Sequence, residues 1–153
     1  MSHRSSEGAS VANNVDMKAF NQNLIEEFRA NQGKVGGPFE GRPVLLLTTT
    51  GAKSGRPFTT PLVYLPDGER LLIFASKAGA PTNPDWYHNL VANPTVTVEV
   101  GTEKYDATAK VLTGDERDRF YQRQVEAMPQ FGEYQKNTTR VIPVVALERV
   151  RSA

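Results

Sequence analysis

The sequence predicts a small antiparallel β-barrel with helices at its periphery, a mainly β architecture of the α+β class. Six short segments have strand-like patterns, and most links between them have the length of hairpin connections. Such links are too short for the crossovers that parallel strands require, which excludes a sheet of βαβ units. The 153 residues are enough for one domain with its own core. We expect this domain over residues 15–153, after a flexible leader, residues 1–14, rich in Ser, Asn and Gly.

The composition excludes several classes of function. The absence of cysteine excludes disulfides, thiolate metal sites and cysteine nucleophiles, and two histidines argue against structural zinc or a Ser-His-Asp triad. A formal net charge of +1 gives no electrostatic basis for binding nucleic acid. No stretch approaches the roughly 18 apolar residues of a spanning helix, and the start lacks the apolar segment of a signal peptide. These features predict a cytoplasmic protein.

The first predicted element is an amphipathic helix. Asp16 can cap it, it can run to about Ala30, and Gly33 can end it. Apolar residues with helical spacing lie on one face, namely Met17, Phe20, Leu24, Ile25 and Phe28. The opposite face mixes acidic residues with Arg29, which favours packing on a sheet over lying on a membrane. A peripheral membrane contact through this helix is the alternative.

From Val44 onward the hydrophobic period changes to that of strands. The predicted strands are Val44 to Thr50, Phe58 to Leu65, Arg70 to Ser76, Thr95 to Val100, Tyr105 to Leu112 and Val141 to Val150. Turns rich in Gly, Pro and Asp separate the first three.

Two further helices are predicted from their start signals. Asn83 followed by Pro84 resembles an N-cap with a first-position proline, for a short helix to Ala92. Thr113 and Glu116 have the spacing of a capping box, for a helix through about Met128.

Two loops that follow predicted strands carry a hydroxyl next to a cation. Lys53 adjoins Ser54 in one, and Ser76 adjoins Lys77 in the other. Such a loop can bind a phosphate or carboxylate through the ammonium group, the hydroxyl and backbone N–H groups. Alone, the first would be an ordinary solvated hairpin, because it has no Walker motif. The second precedes a helix start whose free N–H groups also favour anions, so the pair predicts a site for an elongated anionic cofactor.

Two other side chains each have two interpretations, and a third has one. Trp86, the only tryptophan, is either a hydrophobic lid on the barrel or an aromatic wall against a flat ring. Tyr134 is either a hydroxyl donor over a substrate pocket or an aromatic residue that covers the core. His88 is most simply a residue on a helix surface.

The segments LLLTTTGAKSGRPFTTPL, ASKAGAPTNPDWYHNLVANP and IPVVALER resemble the deazaflavin-dependent nitroreductase family of actinobacteria. Proteins of this family are small split β-barrels that use coenzyme F420. The resemblance implies an F420-dependent oxidoreductase that transfers a hydride from the reduced deazaflavin to a quinone, an activated enone or a nitroaromatic. The cofactor would supply the redox chemistry, and the protein would supply orientation and electrostatics.

The resemblance also implies roles for individual residues. The first loop and Lys77 would meet the phosphate and glutamyl tail. Residues 61–63, with Ala75 and Ser76, would border the deazaflavin ring, and residues 86–89 would close that side. The implied cofactor-binding residues are Lys53, Ser54, Arg56, Thr60, Pro61, Leu62, Val63, Ala75, Ser76, Lys77, Trp86 and Asn89. Tyr134, with Met128 and Phe131, would lie at the acceptor and would position it or donate a proton.

The chain departs from its nitroimidazole-reducing relatives at two places. The segment after the long helix has one tyrosine where they have several, and Phe58 stands where relatives have a basic residue. Two alternatives remain: an FMN-binding oxidoreductase of the related barrel class, and a deazaflavin carrier without turnover. FMN lacks a glutamyl chain, so it would not need all the charge of Lys53, Arg56 and Lys77. The partner implied is a small-molecule electron acceptor, and the oligomeric state stays open.

Overall fold

The computed structural model describes residues 19–36 and 41–150. In chain order the elements are α1 (19–30), β1 (Val44–Thr50), β2 (Pro57–Val63), β3 (Leu65–Asp67), β4 (Arg70–Phe74), α2 (Asp85–Ala92), β5 (Thr95–Val100), β6 (Glu103–Leu112), α3 (Gly114–Ala127), α4 (Gln130–Lys136) and β7 (Val144–Arg149). A 3-10 turn, Lys77–Gly79, lies between β4 and α2. The predicted leader, Asp16 and Met17 fall outside the described residues.

Within the described ranges, seven antiparallel strands form one sheet in the order β2-β1-β5-β6-β7-β4-β3. The two edge strands, β2 and β3, are consecutive in the chain and are separated only by Tyr64. One bent segment therefore pairs with β1 through its first half and with β4 through its second half. The sheet must curl to allow this, which confirms the predicted antiparallel barrel of the α+β class.

The prediction of six strands was wrong by one, because the predicted strand from Phe58 to Leu65 is divided at Tyr64. The N–H of Tyr64 still donates to Pro43 O beside β1, at 3.1 Å, whereas Leu65 already pairs with Leu72 of β4. The change of partner leaves no mark on the hydrophobic pattern. The last strand begins at Val144 rather than Val141.

The alternation of β1 separates two apolar layers. Leu45 and Leu47 are fully buried in the barrel interior with Ile73 and Leu147, and Leu46 packs on the opposite face against α1. A third layer lies beneath α3 and α4 and contains Phe74, Phe120, Phe131 and Val144 among others.

Helix α1 packs through the predicted face, because Leu24, Ile25 and Phe28 are all buried. Phe20, on the same predicted face, is 38% exposed. The helix ends at residue 30, and Gly33 has φ +92°. A Cβ at Gly33 would lie 2.6 Å from Gly101 Cα in the β5–β6 turn, so this close approach requires glycine.

At the starts of α2 and α3 the predicted side-chain capping bonds do not form. The N-cap of α2 is Pro84, and the side chain of Asn83 instead accepts a hydrogen bond from Arg140. Thr113 is the N-cap of α3 as predicted, yet it makes no side-chain capping bond, and Glu116 accepts from Arg70. In each case an arginine from another element supplies a charge-assisted partner, which is stronger than a neutral cap.

The segment after α3, for which the sequence predicted no helix, forms α4. No helix in the described part of the chain is long and apolar enough to cross a membrane.

Candidate functional site

A cleft of about 1140 Å³ lies where α1, the start of β2 and α2 meet. Its lining residues are Asn21, Gln22, Ile25, Arg29, Gly51, Ala52, Lys53, Ser54, Pro57, Phe58, Thr59, Thr60, Asp85, Trp86, His88 and Asn89. Cavities for small molecules and cofactors typically measure roughly 300–1000 Å³. The cleft therefore has room for a large ligand, and it exceeds the groove of about 670 Å³ beside the β3–β4 turn.

The first loop, residues 51–56, joins β1 to β2 and forms one rim of the cleft. Gly51 N–H donates to Arg56 O at 2.7 Å, and Gly55 N–H donates to Gly51 O at 3.0 Å. A Cβ at Gly51 would lie 2.5 Å from Ser54 Oγ and 2.8 Å from the ring of Phe58, so both side chains would have to move to admit a larger residue there. Lys53 and Arg56 are exposed, and no described carboxylate pairs with either cation.

Helix α2 forms the opposite wall. Trp86 is 7% exposed and packs with the barrel interior, as predicted for a hydrophobic lid, and it also lines the cleft. Its role as an aromatic wall against a flat ring stays a prediction. Asn89 accepts a hydrogen bond from Ala52 N–H at 3.0 Å and donates to Thr49 Oγ1 at 3.2 Å. These bonds fix the orientation of the Asn89 amide and tie α2 to the first loop. His88 is exposed, as predicted for a residue on a helix surface.

Helix α1 closes a third side through an ion pair with β5. Arg29 Nε and Nη2 donate to the two carboxylate oxygens of Glu99 at 3.1 and 2.8 Å. The hydrogen bond from Arg29 lowers the pKa of Glu99, and the same bond raises the pKa of Arg29. The charge of Arg29 is therefore balanced by Glu99. Lys53 and Arg56 of the first loop have no carboxylate partner among the described residues and are available to an anionic ligand.

Sequence reasoning missed the contribution of α1 to the cleft. Asn21, Gln22, Ile25 and Arg29 line it because α1 packs on the outer face of β1 and β2. Nothing within α1 indicates which part of the sheet it will cover, so the sequence carried no local signal for these residues.

The second predicted loop, residues 75–83, connects β4 to α2, and none of its described residues lines the cleft. Ala75 is fully buried, Ser76 is half-buried, and exposed Lys77 donates to Thr82 Oγ1 at 3.2 Å. This second loop packs against α4, since a Cβ at Gly79 would lie 2.7 Å from Tyr134 O. Tyr134 itself is half-buried, and its ring meets Phe131 edge to face at 5.1 Å.

The structure thus divides the predicted site residues into those that line the cleft and those that do not. Those that line the cleft are Lys53, Ser54, Thr60, Trp86 and Asn89. Lys77 and Tyr134 belong to the 3-10 turn and to α4, which contact each other, whereas Ala75 is buried in the barrel interior with Trp86 and Ser76 follows it in the chain. Arg56 follows Ser54 on the first loop, and Pro61, Leu62 and Val63 continue β2 beyond the cleft lining. In the described residues no group of three His, Asp or Glu side chains could hold a metal ion.

A family model described as F420H(2)-dependent quinone reductase matches residues 21–149. The chain belongs to this family. It is 44% identical over 126 residues to an F420H(2)-dependent quinone reductase of Mycobacterium tuberculosis strain H37Rv, and the match covers 80% of this chain and 85% of that protein.

Solved structures agree with the family assignment. A structure of an F420-H2 dependent reductase, FDR-A, is 45% identical with a TM-score of 0.65, and the match covers 70% of this chain and 95% of that one. The heme storage protein HutZ of Vibrio cholerae is 20% identical with a TM-score of 0.55, over 84% of this chain and 89% of that one, which shows a common fold alone. Membership of the F420H(2)-dependent quinone reductase family confirms the prediction of an F420-dependent oxidoreductase.

Proposed function

We propose that this protein uses reduced coenzyme F420, bound in the cleft between the first loop and α2, to reduce a small quinone-like acceptor. The observation that carries the proposal is the combination of Lys53 and Arg56, two exposed cations that no described carboxylate pairs with, and the buried aromatic side of the cleft at Trp86. A deazaflavin cofactor has the matching halves, a flat ring and an elongated tail with a phosphate and glutamyl carboxylates.

The first loop suits the anionic tail. The Lys53 ammonium group can act as a point charge, the Arg56 guanidinium can bind a phosphate or carboxylate through two N–H groups, and Ser54 adds a hydroxyl. All three residues lie on an exposed turn, so a long tail can extend from the cleft into solvent.

The deeper part of the cleft suits the ring. Trp86 is fixed by the barrel core and Asn89 by two hydrogen bonds, so neither side chain has to be ordered when a ligand binds. Thr60 also lines the cleft. We assign Pro61, Leu62 and Val63, with Ala75 and Ser76, to the continuation of this wall, and Lys77 to a second charge contact with the tail.

The bound cofactor supplies the hydride that the acceptor receives. The protein orients the acceptor, excludes water from the reacting face and stabilises charge, a task that requires no general base. We assign the acceptor side to α4, where the Tyr134 hydroxyl would hold the acceptor by a hydrogen bond or supply the proton that follows the hydride. Water is the other proton source.

Activated enones and nitroaromatics are flat electrophiles like quinones, so we include them among the acceptors, as the resemblance to deazaflavin-dependent nitroreductases implied. Action in the cytoplasm is likewise part of the proposal.

The proposal is tested by fluorescence titration of the purified protein with oxidised F420 and, separately, with FMN, followed by reduction of menadione with the reduced deazaflavin. Selective F420 binding with turnover supports the reductase. Binding without turnover would favour a carrier, and a preference for FMN would overturn the cofactor assignment.

A further inference from the structure

One arginine near the C-terminus organises the whole second loop. Arg140 Nε donates to Ala80 O at 2.9 Å, and Nη2 donates to Ser76 O at 2.8 Å. Its Nη1 donates to Ala75 O at 3.1 Å and to Asn83 Oδ1 at 2.7 Å. The four acceptors span the beginning, middle and end of the second loop and lie 57 to 65 residues away from Arg140 in sequence. A single guanidinium therefore fixes this loop along its length.

The acceptors of Arg140 are carbonyl and amide oxygens, and no described carboxylate pairs with it. Burial lowers the pKa of its guanidinium. An arginine that balances charge would face a carboxylate. Arg140 instead directs the N–H groups of its planar guanidinium at three backbone carbonyl oxygens and one amide oxygen. The geometry of the fork, more than its charge, accounts for the arrangement.

The second loop needs such support because its backbone is strained. Lys77 has φ +47°, a left-handed conformation that side chains other than glycine rarely adopt. Local bonds hold the turn, with Gly79 N–H donating to Ser76 O at 2.9 Å and Ala80 N–H donating to Lys77 O at 3.0 Å. Arg140 donates hydrogen bonds to Ser76 O and Ala80 O, which lie before and after the strained Lys77 in the chain.

The anchored loop leads directly to the cleft. Asn83, whose side chain is committed to Arg140, precedes Pro84, the N-cap of α2. Trp86 and Asn89 follow on the first two turns of that helix and line the cleft. A shift of the second loop would therefore displace both Lys77 and the start of α2.

We propose that Arg140 is a positioning residue that holds the second loop in the conformation required for cofactor binding. The inference rests on the proposed function, since it assigns Lys77 and α2 to the F420 site. Arg140 acts through the loop and does not itself contact the cofactor.

The test compares Arg140→Lys and Arg140→Gln with wild type. Lysine keeps the charge but cannot span the acceptors as a fork. In the cofactor-free protein, tryptic cleavage after Lys77, followed by mass spectrometry, should be about tenfold faster in both variants, and the Trp86 emission should change. The F420 dissociation constant should rise roughly tenfold or more in both.

Arg70→Gln is the matched control, because Arg70 also binds several groups, Asp67 and Glu116 among them, but lies at the β3–β4 turn. It should lower the thermal midpoint while leaving cleavage after Lys77 and F420 affinity unchanged. If Arg140→Gln fails to fold, Asn83→Ala removes one of the four bonds and should change cleavage and affinity in the same direction by a smaller factor.

If Arg140→Lys is cleaved after Lys77 at the wild-type rate and binds F420 with the wild-type dissociation constant, the proposal is overturned, since the charge alone would then suffice. The proposal is also overturned if the Arg140 variants have a lower thermal midpoint but the wild-type rate of tryptic cleavage after Lys77, because Arg140 would then be an ordinary structural residue. Wild-type protein that does not bind F420 would overturn the proposed function instead, and the cleavage rates would still decide whether Arg140 anchors the loop.

Discussion

Asn89 of α2 accepts a hydrogen bond from the backbone N–H of Ala52 across 3.0 Å, and this contact joins the two sides of the cleft. The same amide donates to Thr49 Oγ1 at 3.2 Å. Asn89 is only 9% exposed, so water cannot readily replace either partner. The helix that carries Trp86 and the first loop that carries Lys53 are therefore held in a fixed relationship before any ligand binds.

Replacing Asn89 by alanine should both destabilise the fold and weaken cofactor binding. The change leaves the Ala52 N–H and the Thr49 hydroxyl without their partner, which costs about 1–3 kcal/mol in the free energy of unfolding. Urea denaturation measures this loss, and an F420 titration measures the effect on the cleft. Asn93→Ala is the control, because Asn93 binds Thr50 O at 3.4 Å and loses a weaker bond. Equal decreases in the free energy of unfolding and in F420 affinity in the two variants would contradict a special role for Asn89.

Replacing Lys53 by alanine should weaken F420 binding with little effect on stability. A charge-assisted contact contributes about 1.5–3 kcal/mol, equivalent to a roughly 10- to 150-fold rise in the dissociation constant. The difference should shrink as salt is added, because Lys53 is exposed. Lys110→Ala, an exposed lysine on β6 away from the cleft, is the control. Unchanged affinity in Lys53→Ala across salt concentrations would remove the first loop from the tail site.

Elements near the cleft could be predicted from the sequence where the pattern that specifies them lies within the element itself. The change of period at Val44 located the first strand, and Gly51 with Gly55 located the first loop. The break at Tyr64 was missed because it depends on which strand each neighbour pairs with, and these partners come from distant parts of the chain.

The predicted caps show how long-range contacts override local patterns. Asn83 and Glu116 occupy positions typical of capping residues, but each binds an arginine brought close by the fold. The spacing in the sequence was correct, and the competing donors, Arg140 and Arg70, could not be identified without the tertiary structure. Arg140 in particular has no motif around it that signals its contact with the second loop.

The ion pair between Arg29 and Glu99 predicts a defined pH dependence. The hydrogen bond from Arg29 holds the pKa of Glu99 below its ordinary value of 4.5. A lowered folded-state pKa means that the stabilisation is fully present above about pH 4.5 and is lost as the pH falls through the lowered pKa. Glu99→Gln should therefore reduce the free energy of unfolding at pH 7, by about 1 kcal/mol because Arg29 is half exposed.

The difference between wild type and Glu99→Gln should become smaller in denaturation experiments below pH 4. Glu103→Gln is the matched control, because its pair with Arg149 is exposed on both sides. A difference that stays constant from pH 7 to pH 3 would show that the charge of Glu99 is not the source of the stabilisation.

Replacing Tyr134 by phenylalanine should leave cofactor affinity intact and change the rate of acceptor reduction. The ring would keep its edge-to-face contact with Phe131, so α4 should stay in place while only the hydroxyl is lost. Steady-state rates with menadione, an enone and a nitroaromatic, each at saturating F420H2, measure the effect. Tyr121→Phe serves as the comparison, because its hydroxyl donates to Phe131 O at 2.6 Å and its loss should lower stability without selecting among acceptors. Identical kinetics in wild type and Tyr134→Phe with all three acceptors would exclude the Tyr134 hydroxyl from the acceptor site.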